Sequence, residues 1–465
     1  MKIRNIQSYN LGHLFGSLLL LTALLSCEDF LEVDPPIDQL TGTVVFEDAA
    51  TVDAALAHIY AELRENSLVA GTSNGLGYMM GHYTDELDLY SLNLPDVDNV
   101  AQNSVLPSDN TVRNLWNSSY NIIYAANRIL EGVESSTGLS EMEKDRFLGE
   151  AHFIRSFLHF HLVNLFGPVP YVNTTDYDTN NEVSRTDTDR VYQNILEDLN
   201  TAKALLPLSN GGVERLRPDH WTAAALLSRV HLYMEDWEKA LDEATYVIAN
   251  GGFALSPDLN GVFLKESPET LWQLGPNLSG DNTNEGFTYI IVSGPPPNSA
   301  LSQRLLDSFE EGDARSTAWV GSVSEGEEVW YFNKKYKEFA PTAVTRECSV
   351  QFRLAELYLI RAESHARLGN PTQALANINA LRARANLDPL SIMDQASLLD
   401  AVLTERRVEL FLEQGHRFFD LKRTVRANAV LGAFKSGWES TDRLLPIPES
   451  ELLLNPKLQP QNEGY

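Results

Sequence analysis

Two segments far apart in the chain are built on one plan. Ala225–Leu241 ends in Tyr233-Met234-Glu235-Asp236-Trp237-Glu238-Lys239-Ala240-Leu241, and Leu359–Leu375 ends in Arg367-Leu368-Gly369-Asn370-Pro371-Thr372-Gln373-Ala374-Leu375. Each reads as a helix with small residues on its packing face, a tight turn, and a second helix opening on Ala-Leu. Small residues let two helices approach closely, and hairpins of this kind bury their faces by stacking on neighbours. The repeat therefore constrains the chain to a helical stack, and scaffold is the first reading of every residue inside it.

Apolar periodicity extends that reading. Val52, Ala55, Leu56, Ile59, Tyr60 and Leu63 follow the i, i+3, i+4, i+7 spacing of one helix face across Ala49–Leu63. The same pattern predicts helices at Val112–Leu130, Met142–Phe166, Val191–Leu205, Thr222–Met234, Trp237–Ala249, Phe352–Leu368, Thr372–Ala385 and Leu398–Thr424. Strand signal is confined to short stretches such as Thr288–Val292 and Val329–Phe332. The fold class is mainly α. Two long stretches, Ser67–Thr111 and Asn250–Thr345, read as irregular and are rich in Gly, Pro, Asn, Asp and aromatics. Long loops in a compact domain commonly carry function.

The 465 residues include 36 Lys+Arg against 64 Asp+Glu, a formal net charge of −28. Nucleic acid is excluded as a partner, because phosphate neutralisation needs a basic face. With 43% hydrophobic residues the chain can bury a large core, so wholesale disorder is excluded too. Only Cys27 and Cys348 occur, too few for a disulfide scaffold or a Cys-rich metal site. No G-x-S-x-G elbow, H-E-x-x-H helix, P-loop or G-x-G-x-x-G turn is present. The reading is of a protein that is not an enzyme and has no cofactor or metal.

Lys2 and Arg4 precede an apolar run from Leu14 to Leu25, shorter than the roughly 20 residues a spanning helix needs. Leu24-Leu25-Ser26-Cys27 follows and resembles a bacterial lipobox, which implies removal of residues 1–26 and a lipid on Cys27. Glu28 and Asp29 look like the acidic surface-export signals of Bacteroidetes lipoproteins. The expected product is anchored to a membrane and does not span it. Asp34-Pro35-Pro36 links the anchor to the first helix. Residues 27–465 are read as one domain, with an N-terminal portion 27–250, a loop-rich insert 251–345 and a C-terminal portion 346–465.

An ordered set of segments runs nearly end to end: Cys27-Glu28-Asp29-Phe30-Leu31-Glu32; Trp116, Tyr120, Ile123, Ala126 and Asn127; Glu150-Ala151-His152-Phe153-Ile154-Arg155-Ser156-Phe157; and Leu165-Phe166-Gly167-Pro168-Val169-Pro170. Phe352-Arg353-Leu354-Ala355-Glu356-Leu357-Tyr358-Leu359-Ile360-Arg361-Ala362-Glu363 and Glu405-Arg406-Arg407-Val408-Glu409-Leu410 are the strongest. Gly415-His416-Arg417-Phe418-Phe419-Asp420-Leu421-Lys422-Arg423, Leu445-Pro446-Ile447-Pro448, Asn455-Pro456 and Gln461-Asn462-Glu463-Gly464-Tyr465 close the pattern. Together they resemble the SusD/RagB lipoproteins of Bacteroidetes. The resemblance implies about four tetratricopeptide-like hairpins with a loop-built ligand face, on the outer membrane and facing outward. It also implies capture of an oligosaccharide or polysaccharide, delivered to a TonB-dependent, SusC-like outer-membrane transporter. A peptide receptor of the same architecture and a structural adaptor for a partner protein are the alternatives.

Glycan recognition needs aromatic platforms for sugar rings and short polar side chains for hydroxyl groups. Tyr78, Tyr83, Asp85, Tyr90 and Asn93 from the first long loop, with Tyr289, Trp319 and Trp330 from the second, are the candidate contacts. Asp85, Glu86, Asp88, Asp96 and Asp98 lack EF-hand spacing and read as a solvated loop. His152, His159 and His161 read as structural. Glu405, Arg406, Arg407, Glu409, Arg417 and Asp420 read as an ion-pair network that holds the fold.

Overall fold

The computed structural model describes residues 44–90, 95–210 and 212–465. The leader, Cys27, the Asp34-Pro35-Pro36 linker and Asn93 lie outside the described residues.

Helix α1 (Ala49–Glu65) starts where the Asp48 carboxylate accepts from the Ala50 and Thr51 amides, donors that a helix start leaves unpaired. α2 (Leu76–Tyr83), β1 (Leu87–Leu89) and α3 (Pro95–Gln102) follow, then two long helices, α4 (Asn110–Ser135) and α5 (Glu141–Phe166). A reciprocal Ser140–Glu143 capping box opens α5. The later helices are α6 (Thr188–Leu205), α7 (His220–Tyr233), α8 (Trp237–Asn250), α9 (Leu354–Arg367), α10 (Pro371–Arg384), α11 (Gln395–Glu409) and α12 (His416–Arg423). Each packs on the next from α4 through α10, and α11 returns onto α9, which makes a tetratricopeptide-like stack.

The sequence repeat is an exact structural repeat at its turns. Asp236 N–H donates to the His231 carbonyl at 2.9 Å, and Asn370 N–H donates to the His365 carbonyl at 2.8 Å. One residue earlier, Glu235 and Gly369 both take left-handed backbone, with φ of 59° and 76°. The small residues do what their size permits. Ser228 of α7 donates to the Ala240 carbonyl of α8 at 2.8 Å, and Ala362 and Ala366 pack on Ala374 and Ile378.

Three sequence expectations are corrected. Leu398–Thr424 is two helices and not one, because Leu412, Gln414 and Gly415 in the connection all have positive φ. The stretch Ser67–Thr111 is less irregular than its composition suggests, since it holds α2, β1 and α3. Thr288–Val292 is not a strand: Thr288 and Tyr289 end a short helix, Asn284–Tyr289, capped by the Thr283 hydroxyl. Val329–Phe332 does lie in a strand.

The strands form three antiparallel pairs: β1 with β3 (Ser299–Leu301), β2 (Thr270–Leu274) with β6 (Ser349–Arg353), and β4 (Val320–Glu325) with β5 (Glu328–Asn333). The β1–β3 pairing joins the two long loops, and β3 also packs against β5. No helix among the described residues is long and apolar enough to cross a membrane.

Candidate functional site

β1 alternates. Leu87 points into the core, whereas Asp88 and then Tyr90, two residues on, point out, as the period of a strand requires. Backbone pairing fixes the end of that strand: Leu89 faces Ser299, and Tyr90 N–H donates to the Asn298 carbonyl at 2.7 Å. The Tyr90 ring is 43% exposed. The Trp330 indole N–H lies beside its phenol, and burial and the Asp88 carboxylate hold that phenol above the usual tyrosine range. Glu328, two residues before Trp330, contributes to the same field. An aromatic face thus stands next to two carboxylates able to accept hydroxyl hydrogen bonds, the combination that sugar recognition uses.

Trp330 itself is a correction to the sequence reading. Its ring packs inward with Ile291, Ala300 and Phe332, and so offers no open face. A Cβ at Gly294 would sit 2.3 Å from Trp330 Cζ3, so the 290–298 loop can lie on the indole only with glycine there. Trp330 therefore supports the 290–298 loop. Tyr331 and Val329 alternate to the opposite face of the hairpin, where Tyr331 is 37% exposed.

The other predicted aromatics are buried, and the polar atoms of Tyr78, Tyr83 and Trp319 are engaged inside the protein. Tyr78 shares the Ser299 hydroxyl with His82, at 2.6 and 2.7 Å. Tyr289 lies 6.2 Å from Tyr78 in the layer beneath β1 and β3. Tyr83 donates to the Asp442 carbonyl at 2.9 Å between Phe418 and Trp438. Trp319 donates to the Leu259 carbonyl at 2.9 Å and packs on Phe263. Tyr78 thereby bonds β3 at Ser299, and none of these residues reaches the surface.

Asp85 is also internal. It accepts from Nε and Nη2 of Arg417 and from Nη2 of Arg407, all at 2.8 Å. Burial raises its carboxyl, but those guanidiniums outweigh burial and leave it below the usual range. Glu86 beside it gains no such partner, and burial and Asp85 push it up to about 8. Among the described residues no group of three or more His, Cys, Asp or Glu is arranged to hold a metal ion.

Of the residues read from the sequence as an ion-pair network, Arg406 bonds Asp420 at 2.7 Å, Arg407 and Arg417 bond Asp85, and Glu405 and Glu409 pair with arginines that the sequence reading did not name. Arg315 bonds Glu405 and Glu409, Arg353 bonds Glu409 at 2.6 Å and Glu269 at 3.1 Å, and Arg384 bonds Glu269 and Glu409. Burial raises the Glu409 carboxyl, but Arg384, Arg353 and Arg315 hold it well below the carboxylate range. The network ties α11 to α10, to β6 and to the loop at Asp313–Arg315. His159 and His161 each bond the carbonyl four residues back at 2.8 Å, and burial lowers them to about 4 and about 3. Their role is structural.

Sequence reasoning missed Glu328. The alternation Glu328-Val329-Trp330-Tyr331-Phe332 was a usable signal for which side chains leave the hairpin on the same face.

Comparisons with known proteins agree with this architecture. A family model described as starch-binding and associating with the outer membrane matches residues 29–232, and the SusD family model matches residues 314–465. SusD-like protein P2 of Formosa agariphila is 28% identical over 518 aligned positions, covering 96% of this chain and 98% of that protein. A SusD-like protein of Bacteroides ovatus is 26% identical over 52% of this chain and 45% of its own length. Among solved structures, a SusD superfamily protein of Bacteroides vulgatus superposes with a TM-score of 0.77 at 22% identity, over 90% of this chain and 100% of that one. A laminarin-binding SusD-like protein superposes with a TM-score of 0.76 at 24% identity, over 90% and 99%.

Proposed function

The chain belongs to the SusD/RagB family, and we propose that it is an outer-membrane lipoprotein that captures an oligosaccharide or polysaccharide at the cell surface. It delivers that glycan to a TonB-dependent, SusC-like transporter and does not cleave it. The single observation that carries the reading is the exposed Tyr90 ring, which shares a face of its strand with Asp88 and lies beside Trp330. Tyr90, Asp88 and Glu328 contact the sugar, with Asn93 as a further contact from the same segment. Anchoring is through a lipid on Cys27, the residue that follows the lipobox-like Leu24-Leu25-Ser26.

The test is calorimetric titration against soluble polysaccharides and peptide digests, with ligand integrity checked afterwards by chromatography. One glycan class should bind and be recovered intact. Peptide binding in its place would move the function to a peptide receptor, and cleaved product would overturn the non-enzymatic reading.

A further inference from the structure

Helix α4 presents a second face of a different character. Tyr120, Asn121 and Tyr124 line one wall of a cavity of about 430 Å³ that is closed on its other side by Asn180, Asn181 and Leu454. On the other flank of the same helix, a cavity of about 350 Å³ is lined by Asn114 together with Asn66 and Asn74. Asn117 and Asn121 line both cavities, so the two are halves of one groove that crosses α4. From Asn114 to Tyr124 the helix advances about 15 Å, the length of a short run of sugar rings.

The chemistry of the groove is narrow. No Lys or Arg lines either half. Tyr124 is 43% exposed, so one ring stands free at the groove. The Nδ2 of Asn180 donates to the Thr174 carbonyl at 2.9 Å. Amides both donate and accept, as a sugar hydroxyl does, and an aromatic ring takes the apolar face of a pyranose. A groove without cations, with Glu62, Glu65 and Glu451 on its walls, disfavours phosphate, sulfate or uronate groups.

We propose that this asparagine-lined groove across α4 is a second binding site, for a neutral oligosaccharide, separate from the platform at Tyr90. The choice of a sugar here follows from the groove's own residues. The assignment does not require that the Tyr90 site bind the same glycan.

The experiment uses the purified protein and neutral hexaoses of glucose (α- and β-linked), mannose, xylose and galactose as probes. Titrations compare wild type, Tyr90→Ala, Tyr124→Ala and Asn121→Ala, together with each groove substitution in the Tyr90→Ala background. Tyr124 and Asn121 are exposed, so neither substitution should affect folding, and unfolding temperatures check this. The expected result is residual binding of at least one hexaose in Tyr90→Ala, weakened at least ten-fold by Tyr124→Ala or Asn121→Ala. Loss of all binding in Tyr90→Ala would overturn the groove and leave the loop platform standing. Binding unaffected by Tyr90→Ala but lost in Tyr124→Ala would support the groove and sink the platform. Residual binding indifferent to both groove substitutions, or no hexaose bound by wild type, would overturn the proposal.

Discussion

The Tyr90 phenol and the Trp330 indole come from separate long loops of the chain and lie beside each other, the first exposed and the second buried. Because Tyr90 makes few packing contacts, Tyr90→Ala should leave stability within about 0.5 kcal/mol of wild type. Glycan affinity should fall at least ten-fold, about 1.4 kcal/mol. Trp330→Ala should lose affinity as well, and should also destabilise the fold by about 3 kcal/mol through the cavity it leaves. Titration paired with urea unfolding separates the two effects. Equal affinity in wild type and Tyr90→Ala would remove Tyr90 from the site.

Glu409 is gripped by three buried guanidiniums, and that arrangement makes one carboxylate answerable for a large part of the fold. Removing it takes one buried negative charge from Arg315, Arg353 and Arg384, which keep Glu405 and Glu269 beside them, and breaking a buried pair typically costs about 3–5 kcal/mol. Glu409→Gln should therefore destabilise by about that much, read as a shift in the urea midpoint. Those guanidiniums, against the opposing effect of burial, hold its carboxyl well below the usual carboxylate range. The contribution is therefore fully present above the unfolded carboxylate range and is lost as pH falls through the lower folded value. Glu409→Gln should accordingly lose its disadvantage in strong acid.

The helical stack was legible in the sequence because its signals are local: a 3.6-residue period, small residues at hairpin interfaces, and turns with fixed chemistry. The site was only partly legible, since eight polar and aromatic candidates look alike until strand pairing decides which faces are out. Tyr78, Tyr83 and Trp319 are as aromatic as Tyr90, yet their hydroxyl or indole groups find internal acceptors far away in sequence. The break after Glu409 was missed for the same reason, because the Leu412 and Gln414 backbone conformations are not written in their side chains.

Glu86 sets an alkaline limit on stability. Burial and the Asp85 charge lift its folded value to about 8, above the usual glutamate range, so the native state binds a proton that the unfolded chain has released. Stability from this group is full below the unfolded value and is lost as pH rises through about 8. Glu86→Gln mimics the protonated form without titrating. The variant should match wild type near pH 5 and exceed it by at least about 1 kcal/mol at pH 9. Parallel loss in both proteins between those pH values would show that Glu86 does not carry a proton.

Cys27 directs a prediction about place. With the lipid attached the protein should partition with the outer membrane, and Cys27→Ala should release it from that fraction. Fractionation of cells expressing each form, followed by immunoblotting, reads the outcome. Undiminished retention of Cys27→Ala in the membrane fraction would refute anchoring through this residue.

The matched turns at Glu235 and Gly369 give a test of the repeat itself. Both positions need left-handed backbone, with φ of 59° and 76°, but only the second has the residue that reaches it without strain. A non-glycine residue there costs roughly 1–2 kcal/mol, offset in part by the greater freedom that glycine gives the unfolded chain. Glu235→Gly should thus stabilise by up to about 1 kcal/mol, and Gly369→Ala should destabilise by a similar amount. Neither side chain position is crowded: Glu235 is exposed, and nothing lies within 4 Å of a Cβ built at Gly369. Any change in unfolding free energy therefore reports backbone conformation, and opposite signs for the two substitutions are what the shared turn demands.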